Sequence, residues 1–288
     1  MSISKISYKI TVLIINYNSF KQAKKLLRSL RLISNCINEI LVIDNCSNEK
    51  INLNKFSKIN LIKNKENIGF ARAVNQGIKI AHNNIILLLN PDTYLENDSV
   101  INSVKLIISD KKIAAVGGKI KNPKNKKYIP SANSKAGFLT AIFEFTNFKK
   151  IFPNNSTSKK FWIKTNQKTP IEVESICGAY IILRKKINNK LNLFNENYFM
   201  YLEDIDFGNK INSLGYKVIY DPNSEVTHIG GSSNNSKYKT VLKYWYKSRK
   251  IYFKNFLSPY KFFFINILFS IEEILLKTYH FFTHTPNA

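Results

Sequence analysis

Arginine is scarce in this chain: Arg28, Arg31, Arg72, Arg184 and Arg249 are the only arginines among 44 basic residues. A surface built for nucleic acid draws on the planar arginine fork and gathers its charge on one face. The formal charge of +25, spread over lysines in a Lys-, Asn- and Ile-rich chain, is also what AT-rich coding produces. No nucleic-acid partner is therefore expected, although attraction to anionic small molecules and anionic membrane surfaces remains. Cysteine is scarce too. Cys36, Cys46 and Cys177 are odd in number, widely spaced and without a CxxC pair, which argues against a disulfide framework or structural zinc site and fits a reducing compartment. No signal-peptide apolar region or cleavage site precedes the first strand-like run, so a cytoplasmic location is expected. No GxGxxG follows that run, which argues against a dehydrogenase-type dinucleotide fold, and no GxxxxGK[ST] occurs, which removes the P-loop. No internal repeat is present.

What the chain has is core. Hydrophobic residues make up 44% and aromatic residues 13% of its 288 positions, enough for one large or two small globular domains. Three apolar runs, ITVLII at 10–15, EILVID at 39–44 and IILLLN at 85–90, have strand length and do not alternate, as strands buried on both faces require. Helical spacing follows Ser19 (Leu26, Leu27, Leu30) and Gly69 (Ala73, Val74, Ile78, Ala81). The order β-α-β-β-α-β predicts a Rossmann-like, mostly parallel α/β sheet with flanking helices. A helix near 97–109 and a strand at 113–117 extend it, and 119–170 reads as a Lys/Asn/Pro-rich insertion of loops around an aromatic patch. A strand at 173–184, a helix at 203–214 closed by Gly215, a strand at 216–220 and two aromatic helical segments after 237 follow.

In such sheets ligands lie beyond the carboxyl ends of the strands. Those ends are Asn16-Tyr17-Asn18, Asp44-Asn45 and Asn90-Pro91-Asp92. Each alone is an ordinary turn or helix cap; three at equivalent positions point to a site. Asp92 is placed to grip a hard divalent cation bridging two phosphates. Downstream, Glu203, Asp204 and Asp206 crowd a helix start behind aromatic residues. They either complement the helix dipole or, with pKa values raised by proximity and desolvation, supply a general base. His228 ends a strand ahead of Gly230-Gly231-Ser232-Ser233, a small-residue loop that lets backbone approach a ligand and close over it.

In this order, VLIINYNS at 12–19, ILVIDNCS at 40–47, NKENIGFARAVNQGI at 64–78, LLLNPDT at 87–93, GAYIILRK at 178–185 and FNENYFMYLEDIDFGNKINSLGYKVIYDPNSEVTHIGGSS at 194–233 resemble the family 2 glycosyltransferases of the GT-A fold, in their rhamnosyltransferase-like branch. The resemblance implies inverting, metal-dependent transfer of a sugar, rhamnose among the candidates, from a UDP- or dTDP-linked donor to a glycan or lipid-linked acceptor hydroxyl in surface polysaccharide assembly. It places Asn16, Tyr17, Asp44, Asn67, Arg72, Asn90 and Asp92 at the nucleotide sugar, and Asp92 and His228 at a Mn2+ or Mg2+ ion. Asp204 becomes the base with Glu203 in support, and Gly178 and Asp206 lie on the acceptor side. Asn192-Leu193-Phe194-Asn195-Glu196 and Lys210 depart from the usual Gly-Gly-Phe-Asp-Glu and Arg. The alternatives are a sugar nucleotidyltransferase, which needs a glycine-rich basic loop where this chain has NYNSFKQ, and a non-enzymatic basic protein binding nucleic acid or membrane.

The expected division is a catalytic domain over 1–236, with 119–170 on its acceptor side, and a helical segment over 237–288. FFFINILFSIEEILL at 262–276 is too short to span a bilayer, which takes about 20 apolar residues. Two readings stand for the segment: helices packed on the catalytic domain, or an in-plane helix on the inner face of the cell membrane with lysines meeting anionic lipid.

Overall fold

Residues 8–49, 53, 56, 58–230 and 238–283 are described by the computed structural model. The three non-alternating runs become β1 (Ile10–Asn16), β2 (Ile37–Asp44) and β4 (Ile85–Leu89). Between them lie α1 (Phe20–Ser29), the short β3 (Ile59–Lys63) and α2 (Phe70–Ile80). The chain continues through β5 (Thr93–Tyr94), α3 (Val100–Ser109), β6 (Ile113–Lys121), β7 (Tyr180–Arg184), α4 (Glu203–Ser213) and β8 (Lys217–His228). The main sheet runs β3-β2-β1-β4-β7-β6-β8-β5. Its β3-β2-β1-β4 half is parallel, β8 is parallel to β6, and β7 is antiparallel to both its neighbours.

Successive β1 residues face opposite cores, as the two-residue strand period demands. Val12 and Ile14 join Leu26, Val100 and Val104 on the side of α1 and α3, whereas Leu13 and Ile15 join Val74, Ile78, Phe207 and Ile211 on the side of α2 and α4. That two-sided burial is why the sequence runs are uniformly apolar.

Two sequence expectations are corrected here. The single strand expected at 173–184 is three pieces, Ile171–Val173, Ser175–Ile176 and β7. The chain turns at Cys177, whose carbonyl accepts from the Tyr180 N–H at 3.2 Å. The loops expected across 119–170 include three short helices, Phe138–Phe143, Phe148–Ile151 and Ser156–Phe161. Their aromatic residues do not form an isolated patch: Phe145 stacks on Trp245 at 5.8 Å and meets Phe253 edge-on at 5.1 Å.

Those partners belong to α5 (Tyr238–Phe256), which pairs with α6 (Pro259–Thr283). Both helices bury one face against the insertion, in a cluster holding Phe145, Phe161, Tyr198, Leu202, Tyr252, Phe253, Ile265 and Phe269. This supports the packed reading for α5 and for the inner side of α6. No helix among the described residues is long and apolar enough to cross a membrane.

Arg249 ties the cluster together. It is 1% exposed, donates to the Phe145 carbonyl at 2.7 Å and the Phe269 carbonyl at 3.1 Å, and pairs with Glu272. A buried ion pair is costly to form and costlier to break, because removing one partner strands the other's charge. Arg249→Met is expected to destabilise the fold by about 3–5 kcal/mol in urea denaturation, and Arg249→Met with Glu272→Leu by much less. Equal losses in the two variants would refute the pairing as the cause.

Candidate active site

β1 and β2 end side by side, with Asn16 registered against Asp44. The Asn16 amide donates to Asp44 Oδ1 at 2.9 Å and to Ser47 Oγ at 3.0 Å, and the Ser47 hydroxyl donates to the same Asp44 oxygen at 2.5 Å. Asp44 is 3% exposed and sits outside the lining of the main cleft, fastened to the strand ends. The next residue, Asn45, does line the cleft and clamps the loop after β3. Its amide donates to Asn67 Oδ1 at 2.8 Å and the Gly69 carbonyl at 3.2 Å, while its oxygen accepts from Asn64 at 3.1 Å and the Ile68 N–H at 3.2 Å. Sequence reasoning noted Asn45 as a strand-end residue and gave it no role; its signal was its place beside Asp44.

Gly69 starts α2 at φ +85°, where a Cβ would stand 2.9 Å from the Phe199 carbonyl oxygen. Only glycine fits a left-handed residue pressed this closely on backbone. The Phe70 N–H then donates to that carbonyl at 2.7 Å, joining the first half of the chain to the carboxylate loop. Arg72 faces the other way: its side chain is 57% exposed, 3.9 Å from Glu196, and outside the cleft lining.

At the end of β4 the Asn90 carbonyl accepts from the Thr93 N–H at 3.1 Å and hydroxyl at 2.6 Å, a tight turn that presents Asp92. Pairing of β5 with β8 sets His228 opposite Thr93. His228 Nε2 lies 3.0 Å from Asp92 Oδ1, and the Gly230 N–H donates to Oδ2 at 3.1 Å. The two side chains are thus in direct contact, and their carboxylate oxygen and ring nitrogen are both donor types that a divalent cation accepts. Among the described residues no third His, Cys, Asp or Glu joins them. Gly231, Ser232 and Ser233, the expected lid, lie outside the described residues.

The second carboxylate group is delivered by strain. Tyr201 (φ 74°) and Leu202 (φ 65°) are both left-handed, a conformation costing about 1–3 kcal/mol per non-glycine residue unless its surroundings dictate it. Here they do: Leu202 is buried in the aromatic cluster, and Ser248 of α5 donates to the Met200 carbonyl at 2.7 Å. The turn sets Glu203 and Asp204 in the first turn of α4, facing the cleft. Asp204 accepts from the Gly178 N–H at 2.8 Å and the Ile205 N–H at 2.9 Å. Burial nonetheless holds its carboxyl above the ordinary range. Glu203 is raised as well, by burial first and the Asp204 charge second, and its Oε2 has no hydrogen-bond partner among the described residues. Gly178, expected on the acceptor side, is thus a holder of Asp204. A Cβ there would meet Asp204 at an ordinary 3.5 Å, so the N–H is the functional feature. Asp206 turns away to accept from the Tyr198 hydroxyl at 3.1 Å and lines a separate depression with Lys210.

One cleft of about 590 Å³ is lined by Tyr17, Asn67, Asn90, Asp92, Gly178, Glu203, Asp204 and His228 together. Aromatic residues line it as well: Phe145 and Trp162 from the insertion, Phe199 and Tyr201 from the loop, and Trp245 from α5. Sequence reasoning noted Phe145, Phe199, Tyr201 and Trp245 in separate aromatic clusters, did not note Trp162, and missed that they line one site.

Glycosyl transferase family 2 matches residues 11–191, and the chain belongs to that family. The N-acetylglucosaminyl-diphospho-decaprenol L-rhamnosyltransferase of Mycobacterium tuberculosis is 22% identical over 209 residues, 69% of this chain and 67% of that one. A poly-beta-1,6-N-acetyl-D-glucosamine synthase of Staphylococcus aureus is 24% identical over 197 residues, 68% of this chain and 43% of that one. Among solved structures, GalNAc-T7 with UDP, GalNAc and Mn2+ aligns with a TM-score of 0.60 at 15% identity, over 78% of this chain and 44% of that one. S. aureus TarS 1-349 in complex with UDP aligns at 0.50 and 16% identity, over 91% and 70%. This chain spans less than half the length of the GalNAc-T7 chain. The fold is thus GT-A, with a mostly parallel sheet and C-terminal helices, and the chain is a glycosyltransferase.

A carboxyl whose pKa is raised by folding favours the native state in its protonated form; that contribution is present below the unfolded pKa and is lost as pH rises through the folded one. Because Glu203 is raised, Glu203→Gln is expected to out-melt the parent at about pH 8.5 and by a smaller margin at about pH 5. Thermal melts at both values check this, and a margin that is constant or grows towards acid would remove the buried charge as its source.

Proposed function

We propose that this chain transfers a sugar from a UDP- or dTDP-linked donor to a hydroxyl of a glycan or lipid-linked acceptor, with inversion, as a step in bacterial surface polysaccharide assembly. The observation that carries the reading is the convergence, in one cleft, of the Asp92–His228 pair with the Asp204 carboxyl. Asp92 and His228 would hold Mn2+ or Mg2+, which when bound supplies positive charge for a leaving diphosphate. Tyr17 and Asn67 line the cleft where the nucleoside would lie, Asn16 and Asp44 stand bonded to each other at the ends of β1 and β2 outside that lining, and the Asn45 clamp keeps the Asn67 loop in register. Asn90 contributes a neutral contact beside the diphosphate.

Asp204 takes the acceptor hydroxyl's proton as that oxygen attacks the anomeric carbon. Its raised pKa makes it a stronger base than an exposed carboxylate, and the Gly178 and Ile205 N–H groups fix its direction. A single displacement needs no covalent intermediate and inverts the anomeric centre. Glu203 stands beside Asp204 in support; burial raises both carboxyls, and the Asp204 charge adds to the rise at Glu203. Rhamnose is favoured as the transferred sugar because the mycobacterial relative is an L-rhamnosyltransferase. A nucleotidyltransferase is disfavoured because β1 is followed by NYNSFKQ, without a glycine-rich basic loop for a triphosphate.

A screen of sugar nucleotides for manganese-dependent thermal stabilisation tests the reading, since a ligand at 100 times its Kd adds about 2.7 kcal/mol of stability. UDP- or dTDP-sugars are expected to stabilise the protein, and no response to any of them would sink it. Asp92→Ala and His228→Ala should each weaken that response, because the diphosphate charge is then uncompensated; normal manganese and nucleotide binding in both would move the metal site elsewhere. Asp204→Asn should retain donor binding and lose transfer by about two to four orders of magnitude, the contribution of a positioned general base. Parental turnover in that variant would transfer the role to Glu203.

A further inference from the structure

Helix α6 buries only half of itself. Ile265 and Phe269 point into the aromatic cluster, at 1% and 0% exposure. On the other side Phe263, Phe264, Ile267, Ile271, Ile274 and Leu275 are 43–63% exposed. At 3.6 residues per turn these six fall within about a third of the helix circumference and extend over about 18 Å. Scattered exposed apolar residues are ordinary on a soluble surface, but a continuous stripe marks a surface that something else covers.

We propose that this stripe lies in the plane of an anionic lipid bilayer, with α6 as an interfacial helix. Charge selects that occupant. The only two acidic residues of α6, Glu272 and Glu273, are both turned inward, paired with Arg249 and Lys250 of α5. The stripe itself therefore presents no carboxylate. The insertion helices and α5–α6 together, residues 138–161 and 238–283, carry twelve Lys and Arg against three Glu. Lys149, Lys150, Lys254 and Lys261 are among the exposed ones. An apolar stripe with a basic surround and no exposed acid on its own helix is the pattern of an in-plane helix on anionic lipid. A second copy of the chain would set the same basic surround of α6 against itself, so self-association through this face is opposed by the charge that attracts lipid.

The geometry also says what such docking would do. The insertion abuts α6, where the Asn147 N–H donates to Glu272 at 2.5 Å, and it exposes Leu139, Ile151 and Phe152. The same insertion lends Phe145 and Trp162 to the cleft wall. A bilayer on α6 would thus be reached through the subdomain that forms that wall, which suits an acceptor carried by lipid. The docking itself rests on the surface of α6 and not on the transfer reading.

The test is co-sedimentation of the full chain with vesicles of phosphatidylcholine containing about 30% phosphatidylglycerol, against phosphatidylcholine alone, at low salt. The protein is expected to pellet with the anionic vesicles, and the double variant Phe264→Glu/Ile271→Glu, altered only at exposed positions, to partition at least about tenfold more weakly. Thermal melts and manganese-dependent nucleotide stabilisation of the same variant show that it is folded and that its donor site is untouched. A parent that stays in the supernatant with anionic vesicles, or a double variant that is folded and pellets equally, overturns the proposal. So does a dimer in lipid-free sedimentation velocity that the double variant abolishes, since the stripe would then belong to a second copy.

Discussion

The placement of two carboxyl groups in a buried corner at the start of α4 is the constraint from which much of the site's construction follows. Asp204 and Glu203 are desolvated and adjacent, which by itself disfavours their charge. The backbone that delivers them passes through two left-handed non-glycine residues, which also costs free energy. Neither would persist in isolation. They persist because Leu202 is locked in an aromatic cluster, the Met200 carbonyl is held by Ser248, and the Phe199 carbonyl is held by the first turn of α2. Each of those holders comes from a different part of the chain.

That dependence explains how the C-terminal helices relate to the rest. The sequence divides naturally near 236, where a recognisable catalytic pattern gives way to aromatic and basic residues. Physically the division is crossed by strong contacts: Tyr244 stacks on Phe199 at 4.0 Å, Trp245 lines the cleft, and Ser248 bonds the carboxylate loop. The α5 helix therefore acts as a brace for the carboxylate loop. The buried Arg249 extends the brace to α6 by satisfying carbonyls of the insertion and of α6 at once.

How much of this was legible in the sequence follows from the range of each interaction. Strands buried on both faces write themselves as unbroken apolar runs, so β1, β2 and β4 and the polar residues ending them could be read directly. The grouping of Asp92, Asp204 and His228 came from an ordered resemblance, because 136 positions separate Asp92 from His228 and no local pattern encodes such a contact. The break at Cys177 and Gly178 was hidden inside a strand-like stretch: the chain turns there, and the Gly178 N–H bonds Asp204, 26 residues away in sequence, instead of a strand. The insertion was illegible for a similar reason. Its helices are short, and their order comes from α5 and α6 instead of local propensity. Asn45 and Arg72 mark the opposite errors, one a turn residue that proves to be a clamp and the other a motif residue directed away from the cleft.

The two ends of the cleft also differ in how their polar groups are restrained, and the difference bears on what each can do. On the strand-end side, Asp44 is held by Asn16 and Ser47, and Asn67 by Asn45, so a ligand there meets a preformed surface and loses little to reorganisation. On the α4 side, Asp204 is aimed by two N–H groups while burial opposes its ionisation. A group so placed gains most when a hydroxyl gives up its proton to it, because accepting that proton relieves the buried charge. The strand ends are thus suited to holding a molecule unchanged, and the start of α4 to reacting with it. In the proposed reaction these two tasks would fall on different parts of the fold, one on rigid parallel strands and the other on a strained loop that α5 braces.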